Sequence, residues 1–139
     1  MTRKQKALVR RSWATLGPQA DATTALFYQH LFDVNPNARR LFRGKDMRLQ
    51  GTAFVQMLSL FIRSLDEDEP GIAEAIQATG RRHVGYEVIY SDYDAVGEAL
   101  LWAVEQMLGP RFSPNMRDAW AEAYRSLAAT MRQASSGIL

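Results

Sequence analysis

The sequence of 139 residues contains no cysteine and only two histidines, His30 and His83. The lack of cysteine excludes disulfides, thiolate zinc sites, iron–sulfur clusters and cysteine nucleophiles. Any imidazole chemistry, at a metal or as a general base, therefore has to use one of two side chains. The chain also lacks a large excess of charge of either sign, because 17 Lys and Arg against 15 Asp and Glu give a formal net charge of +2. Cations scattered along the chain argue against a dedicated nucleic-acid-binding protein.

Long hydrophobic runs are absent as well. The longest uncharged stretch, from Leu49 to Ile62, is shorter than the ~20 apolar residues of a membrane-spanning helix. The basic N-terminus lacks the apolar core of a secretory signal. Its arginines, with no acid before Asp21, are also typical of a transit peptide, but Leu8, Val9 and Trp13 share one helical face and favour a first structural helix. We expect a cytoplasmic protein that has no membrane partner.

Glycine and proline divide the chain into helix-length segments, in which apolar residues recur about every 3.6 positions. Neither an alternating strand pattern nor a useful internal repeat occurs. The sequence therefore predicts one all-helical domain over residues 1–139, with about six to seven helices. We expect the tail from about residue 134 to be disordered.

Three boundaries of helices are marked by their residue types. Pro36 fits the first position of a short helical turn that ends at Phe42. Ser91, with Asp94 three residues later, is similar to a capping box and predicts the start of a long helix. The pair Ser113-Pro114 combines an N-cap with a proline and predicts the start of the last helix.

His83 continues the apolar face of a predicted helix four residues after Thr79, and Gly85 follows it closely. An imidazole in the last turn of a helix can lean out and bind a ligand. A lone inward histidine is more often part of the core or of the helix end. This segment alone leaves both interpretations open.

Two polar side chains stand in otherwise apolar faces. Gln50 is the only polar member of the inner face predicted for residues 47–65, and Tyr28 lies among apolar residues of its own helix. Taken singly, each is typical of ordinary packing, since a buried amide or phenol needs only a hydrogen-bond partner. Together with His83 they outline a mostly apolar cavity with two hydrogen-bonding groups and an imidazole, which is typical of a cofactor pocket.

Two blocks of the sequence resemble the globin family. The first is Leu26-Phe27-Tyr28-Gln29-His30-Leu31-Phe32 with Asn35-Pro36 and Leu41-Phe42, and it resembles the second and third globin helices and their corner. The second resembles single-domain bacterial haemoglobins and the haem domain of flavohaemoglobins, and it consists of Gly80-Arg81-Arg82-His83, Tyr93, Val96-Gly97, Leu100-Leu101, Leu108-Gly109 and Ala119-Trp120-Ala121-Glu122-Ala123-Tyr124. The resemblance covers Trp13 to Met131, and it implies a globin fold that encloses haem b, iron protoporphyrin IX.

The resemblance also implies roles for individual residues. His83 matches the proximal histidine that binds the haem iron, and Phe42 matches the phenylalanine that stacks on the porphyrin. Tyr28 and Gln50 match the distal tyrosine and glutamine, and Phe54 matches the apolar position one turn beyond Gln50. The remaining matches, on the proximal side or at a haem propionate, are Arg82, Tyr86, Val88 and Tyr93. A solvated side chain is the alternative for Arg82.

The distal side has no histidine in the position that the family would use. His30 lies two residues from Tyr28 and faces away from it on a helix, so we expect His30 at the surface. The resemblance then implies a five-coordinate haem that is open to dioxygen, NO and CO. Ligation by Tyr28 or Gln50 in the ferric state is the alternative. Because bound dioxygen carries partial negative charge, a phenol and an amide donor favour it over CO, and we expect slow oxygen release.

The chain departs from the flavohaemoglobin pattern on the proximal side. In those proteins a tyrosine and a glutamate hold the proximal histidine. Tyr93 matches the tyrosine, but the position of the glutamate falls at Ser135, and no Asp or Glu follows Glu122. We expect a more neutral imidazole at His83 that bonds to a backbone carbonyl, and weak peroxidase-like activity.

Three functions fit the resemblance. The first is reversible oxygen binding for storage, delivery or scavenging, by a monomer or a homodimer. The second is a nitric oxide dioxygenase that depends on an external reductase, because the sequence given ends at Leu139 and leaves no room for a flavin domain. The third is a gas sensor, although sensors usually carry an output domain. The missing proximal glutamate favours oxygen binding, and a haem-free helical domain is the least favoured alternative.

Overall fold

The computed structural model describes residues 1–65 and 93–138, and helices account for most of both ranges. The five α-helices within these two ranges are α1 (Arg3–Leu16), α2 (Ala20–Val34), α3 (Met47–Ser64), α4 (Tyr93–Leu108) and α5 (Pro114–Ile138). Short 3₁₀ helices span Gly17–Gln19, Pro36–Phe42 and Gly109–Arg111, and we call Pro36–Phe42 the corner helix. No strand occurs in the described ranges, so the prediction of an all-helical fold is confirmed.

Polar side chains define where these helices begin. Thr2 and Gln5 form a capping box at α1, in which each side chain accepts the backbone N–H of the other residue, at 3.1 and 2.9 Å. Ser113 accepts the backbone N–H of Met116 at 3.2 Å, as predicted for the start of the last helix. Pro36 is the first residue of the corner helix, also as predicted. The predicted capping box at Ser91 lies outside the described residues.

Helix α2 is central to the packing. It packs most extensively against α4 and also crosses α3, while α1 packs against α5. The largest side chains that are fully buried come from α1, α2, α4 and α5, and they are Trp120, Leu16, Leu31, Leu100, Leu127, Val9, Val96 and Val104. Burial of this apolar surface is the main driving force for folding.

Two tryptophans connect α1 to its neighbours through hydrogen bonds. The indole N–H of Trp120 donates to Ser12 Oγ at 2.9 Å, and that of Trp13 donates to Ser59 Oγ at 3.2 Å. The two indole rings lie 6.3 Å apart. The buried indole N–H of Trp120 and the partly buried one of Trp13 therefore each have an acceptor, which offsets the cost of desolvating them.

Helix α2 crosses α3 at a glycine. A Cβ atom at Gly51 would lie 3.1 Å from Thr24 Oγ1 and 3.4 Å from Thr24 Cβ. Thr24 Oγ1 is held by a hydrogen bond to the carbonyl oxygen of Asp21, at 3.1 Å. The absence of a side chain at Gly51 thus allows the close approach of the two helices that carry Tyr28 and Gln50.

The C-terminal helix, α5, continues to Ile138. The expectation of disorder from about residue 134 stays a prediction. The segment Ala134-Ser135-Ser136 contains no proline, and Gly137 comes only at its end, so no residue in it stops the helix. None of the helices among the described residues is long and apolar enough to cross a membrane.

Candidate functional site

Tyr28 is buried in the face of α2 that meets α3. The residue is 7% exposed, and its hydroxyl has no hydrogen-bond partner among the described residues. Burial raises the pKa of this phenol well above its ordinary value, because the charged phenolate would lose its hydration. The Gln50 side chain approaches the phenol and lowers the pKa by a smaller amount, but neither the Tyr28 hydroxyl nor Gln50 Nε2 has a partner with hydrogen-bond geometry among the described residues. Tyr28 is therefore a neutral donor without an acceptor.

Gln50 faces the same region from the first turn of α3. The Asp46 carboxylate caps this helix by accepting the backbone N–H groups of Arg48 and Leu49, at 3.0 and 3.4 Å. This cap fixes where the helix starts and therefore which residues face inward. Gln50 is 9% exposed, and its amide nitrogen has no partner among the described residues. The site thus contains a second buried donor without an acceptor.

Aromatic rings surround the Tyr28 phenol. Phe42 and Phe54 both meet it edge-on, with ring centroids 5.5 and 6.4 Å away. Phe27 lies 4.9 Å from Tyr28 and stacks on Phe54 at 4.6 Å, and Phe32 lies 6.2 Å from Tyr28. Such rings exclude water and lower the local dielectric constant, which strengthens any hydrogen bond that the two donors make.

A cavity of about 430 Å³ opens beside Tyr28, between α2 and the start of α3. Its wall combines polar, aliphatic and aromatic side chains, and the lining residues are Asp21, Thr24, Ala25, Tyr28, Phe32, Met47 and Arg48. A mostly apolar site with a few converging polar groups is the usual form of a small-molecule pocket.

The structure brings together four of the residues that the sequence assigned to one pocket. Tyr28, Gln50, Phe42 and Phe54 are all buried and come from α2, the corner helix and α3. The other assigned residues, His83, Arg82, Tyr86 and Val88, lie outside the described residues. Tyr93 begins α4, but its side chain is also outside the described part.

The expectation for His30 needs a correction. His30 does point away from Tyr28, but its side chain is only 20% exposed, and its ring stacks on Trp102 at 4.4 Å with an interplanar angle of 7°. Its Nε2 atom lies 3.9 Å from a carboxylate oxygen of Glu98. The expectation failed because α2 is covered on both sides, by α3 over Tyr28 and by α4 over His30.

Two features of the site were not predicted from the sequence. Phe27 was recognised as part of a motif, yet its contact with both Tyr28 and Phe54 was not expected. The close approach of Thr24 and Gly51 was missed as well. A glycine directly after Gln50, inside a helix, was the available signal, since an internal helical glycine often marks a close contact.

A helical fold with two buried donors in an aromatic pocket is typical of helical proteins that bind a small ligand. Comparison with known families identifies which one. The family model described as Globin matches residues 25–131. The chain belongs to the globin family.

Similar proteins include bacterial and vertebrate globins. The flavohemoprotein of Deinococcus radiodurans is 29% identical over 132 residues, which are 94% of this chain and 33% of that protein. The neuroglobin of Chaenocephalus aceratus is 25% identical over 145 residues, covering 96% of this chain and 91% of that protein. The chain spans about a third of the length of the flavohemoproteins that it matches. A solved structure, the closed form of the HGbRL globin domain, is 32% identical over 96% of both chains, with a TM-score of 0.42.

Proposed function

We propose that this chain binds haem b and, through the haem iron, reversibly binds dioxygen and other small gases such as NO and CO. One observation carries the proposal: Tyr28 Oη and Gln50 Nε2 are buried donors without a partner among the described residues. Leaving a buried polar atom unpaired costs about 1–3 kcal/mol. Two such atoms in one aromatic pocket fit a binding site in which the ligand supplies the missing hydrogen-bond acceptor. Membership of the globin family supports haem as the group that holds this acceptor.

Named residues have proposed roles around the haem. His83 is the proposed iron ligand, and Phe42, which is 6% exposed, is the proposed ring against the porphyrin. Phe54 closes the distal pocket beside Phe42 and Tyr28. The proposed contacts on the proximal side and with a propionate are Arg82, Tyr86, Val88 and Tyr93. Haem would supply an iron atom that binds a diatomic gas and donates electron density to it.

The two distal donors favour a ligand that gains negative charge. Because its pKa is raised, the Tyr28 phenol keeps its proton and donates to such a ligand. Gln50 Nε2 donates from α3, and both donors act in a pocket from which aromatic rings exclude water. A hydrogen bond to a charged acceptor is roughly twice as strong as one to a neutral acceptor. We therefore propose that the pocket retains dioxygen more strongly than CO.

Oxygen dissociation measured by stopped-flow mixing tests the distal part of the proposal. A hydrogen bond to a charged acceptor is worth about 1.5–3 kcal/mol, so Tyr28→Phe and Gln50→Leu should each speed oxygen release by about 10- to 150-fold. The release of CO should change much less. His30→Gln is the matched control, because His30 lies on the opposite face of α2. Release at the rate of the unmodified chain in both distal variants would show that these donors do not hold the ligand.

Similarity to two flavohemoproteins favours nitric oxide dioxygenase activity as a second candidate function. Conversion of NO and dioxygen to nitrate consumes one electron, which a reductase has to supply. We expect the ferrous oxygen-loaded chain to convert one equivalent of NO and to stop in the ferric state. Repeated turnover after addition of a reductase and its nicotinamide would support the enzymatic function. Turnover no faster than autoxidation of the oxygen-loaded chain would leave oxygen binding as the function.

A further inference from the structure

The corner helix and the start of α3 carry an exposed cluster of cations that the ligand pocket does not use. We call it the cationic corner, and it consists of Arg39, Arg40, Arg43, Lys45 and Arg48, all of which are exposed. The only acid between residues 39 and 48 is Asp46, whose carboxylate caps α3. Five cations and one acid give this segment a formal charge of +4, whereas the whole chain has +2.

The positive charge of the cationic corner is not neutralised by the described residues around it. The ion pairs present among residues 1–65 and 93–138 join His30 to Glu98 and Arg125 to Glu122, and neither involves the cationic corner. Arg39 lies over the ring of Phe32, with its Cζ atom 5.3 Å from the ring centroid, and this contact leaves its charge in place. The N-terminus of α3 adds a further partial positive charge at the same place. Among the described residues, the segment therefore presents a local positive potential at the surface.

This potential lies directly outside the candidate ligand pocket. Arg40 and Arg43 flank Phe42 closely in the chain, and Phe42 is buried against Tyr28. Arg48 lines the cavity that reaches Tyr28. Any partner that docks on the cationic corner is thus held next to the part of the chain that we propose contacts the haem.

An exposed apolar side chain stands within the same surface. Leu49 follows Arg48 directly and is 63% exposed. The other large apolar residue that is exposed in the described ranges is Val34, at 40%. A small apolar contact surrounded by charge is typical of weak, transient complexes, in which charge directs the encounter and little area is buried. Membrane docking would need several exposed apolar side chains, and Leu49 is the one that lies beside the cationic corner among the described residues.

We infer that the cationic corner is the docking surface for an acidic electron-donor protein that reduces the ferric haem iron. The inference rests on the proposed function, since it assumes that haem is bound next to Phe42. In the proposed step, one electron leaves the reduced cofactor of the partner and converts ferric iron to ferrous iron. The partner is therefore a protein with an acidic surface near a one-electron cofactor such as a flavin.

Charge reversal tests the inference. The double variant Arg40→Glu/Arg43→Glu changes two exposed residues that lie outside the proposed ligand pocket. The control Arg111→Glu/Arg117→Glu makes the same change of charge at two exposed residues next to the start of α5. Reduction of the ferric haem-loaded chain is followed by stopped-flow absorbance, with reduced flavodoxin as the acidic donor and reduced lumiflavin as a neutral small-molecule donor.

Electrostatic steering changes association rates by about 10- to 1,000-fold. Reversal of the two charges in Arg40→Glu/Arg43→Glu should therefore lower the rate of reduction by flavodoxin by about 10-fold or more at low salt. The same variant should also lose most of the dependence of this rate on ionic strength. The control variant should react with flavodoxin, and both variants with lumiflavin, at the rate of the unmodified chain. Equal slowing in both variants, or no slowing in either, would overturn the inference.

A binding measurement separates this inference from the proposed function. Oxidised flavodoxin is titrated into the isotope-labelled chain, and we expect the largest backbone amide shifts at residues 39–49. This readout needs neither oxygen binding nor reduction, so a failure of the distal assignments leaves it intact. Shifts confined to other residues would overturn the inference. The inference would also be overturned if the chain bound phosphatidylglycerol vesicles or single-stranded DNA more tightly than flavodoxin and this binding depended on Arg40 and Arg43.

Discussion

Removal of the Tyr28 hydroxyl should have opposite effects on stability and on ligand retention. This hydroxyl is buried and has no partner among the described residues. Unfolding returns it to water, so the unfolded state gains hydration that the folded state lacks. The variant Tyr28→Phe deletes the group and leaves the ring contacts with Phe27 and Phe42 in place. We expect the variant to be more stable than the unmodified chain when no haem is present, although it releases oxygen faster when haem is loaded.

The expected size of the stabilisation follows from the burial of the residue. Tyr28 is 7% exposed, so its hydroxyl carries nearly the full penalty of an unpaired polar atom, which is about 1–3 kcal/mol. Loss of the dispersion contacts of one oxygen atom offsets a few tenths of a kcal/mol, at roughly 0.1–0.2 per contact. The net gain in the free energy of unfolding is therefore about 1–2 kcal/mol. With a urea m-value of about 2 kcal/mol/M, the midpoint of unfolding should rise by about 0.5–1 M.

Urea unfolding of the haem-free chain, followed by circular dichroism and tryptophan fluorescence, measures this change. Tyr124→Phe is the matched control, because Tyr124 is also buried, at 5% exposed, and its hydroxyl is not among the unpaired groups. The control should leave the midpoint unchanged or lower it. An unchanged or lower midpoint for Tyr28→Phe would mean that the hydroxyl has a partner in the haem-free chain and is not reserved for a ligand.

Further predictions concern pH, helix spacing and the far side of α2. Because burial raises the pKa of Tyr28, the unfolded chain releases the phenolic proton above about pH 10 while the folded chain keeps it. The free energy of unfolding should therefore fall as the pH rises past about 10. Thermal melts at alkaline pH should show a smaller fall for Tyr28→Phe. Gly51→Ala places a Cβ atom 3.1 Å from Thr24 Oγ1, and this overpacking should cost about 1–3 kcal/mol, less the roughly 0.5–1 kcal/mol that alanine gains over glycine inside a helix. We expect a net loss of stability and faster oxygen release, and Thr24→Ala should restore both in the double variant. His30→Ala removes the stack on Trp102 and should lower the free energy of unfolding by about 1 kcal/mol, with no change in oxygen release.

Periodicity in the sequence was sufficient to predict which faces of the helices are buried. The inner face of α3, from Gln50 through Phe54 to Phe61, is buried in the structure. Pro36 and Ser113 begin their helices as their residue types predict. These features depend on contacts between residues close in the chain, and local patterns determine such contacts.

Features that depend on contacts between distant segments were missed. His30 was expected at the surface because its helix was considered alone, whereas Trp102 from α4 covers it. The clearance between Thr24 and Gly51 depends on how closely α2 approaches α3. The cationic corner was overlooked because the small net charge of the chain averages it with distant acids. Pairing between elements, and not the sequence of one element, determines each of these features.

The assignments around His83 on the proximal side stay predictions. His83, Arg82, Tyr86 and Val88 lie outside the described residues, and so does the proposed hydrogen bond from His83 to a backbone carbonyl. The ferrous iron–histidine stretching frequency, measured by resonance Raman spectroscopy, tests that bond. A frequency as high as that of a peroxidase would contradict the neutral imidazole that we expect.

We propose above all that this globin holds haem through His83 with an open distal side. Absorption spectra of the ferric, reduced and air-exposed haem-loaded chain test it, with His83→Ala and His30→Ala compared side by side because these are the only two histidines. We expect a strong Soret band, a five-coordinate reduced form and a long-lived oxygen complex, all kept in His30→Ala and lost in His83→Ala. A chain without a Soret band after haem is added, or a spectrum that does not depend on His83, would contradict it.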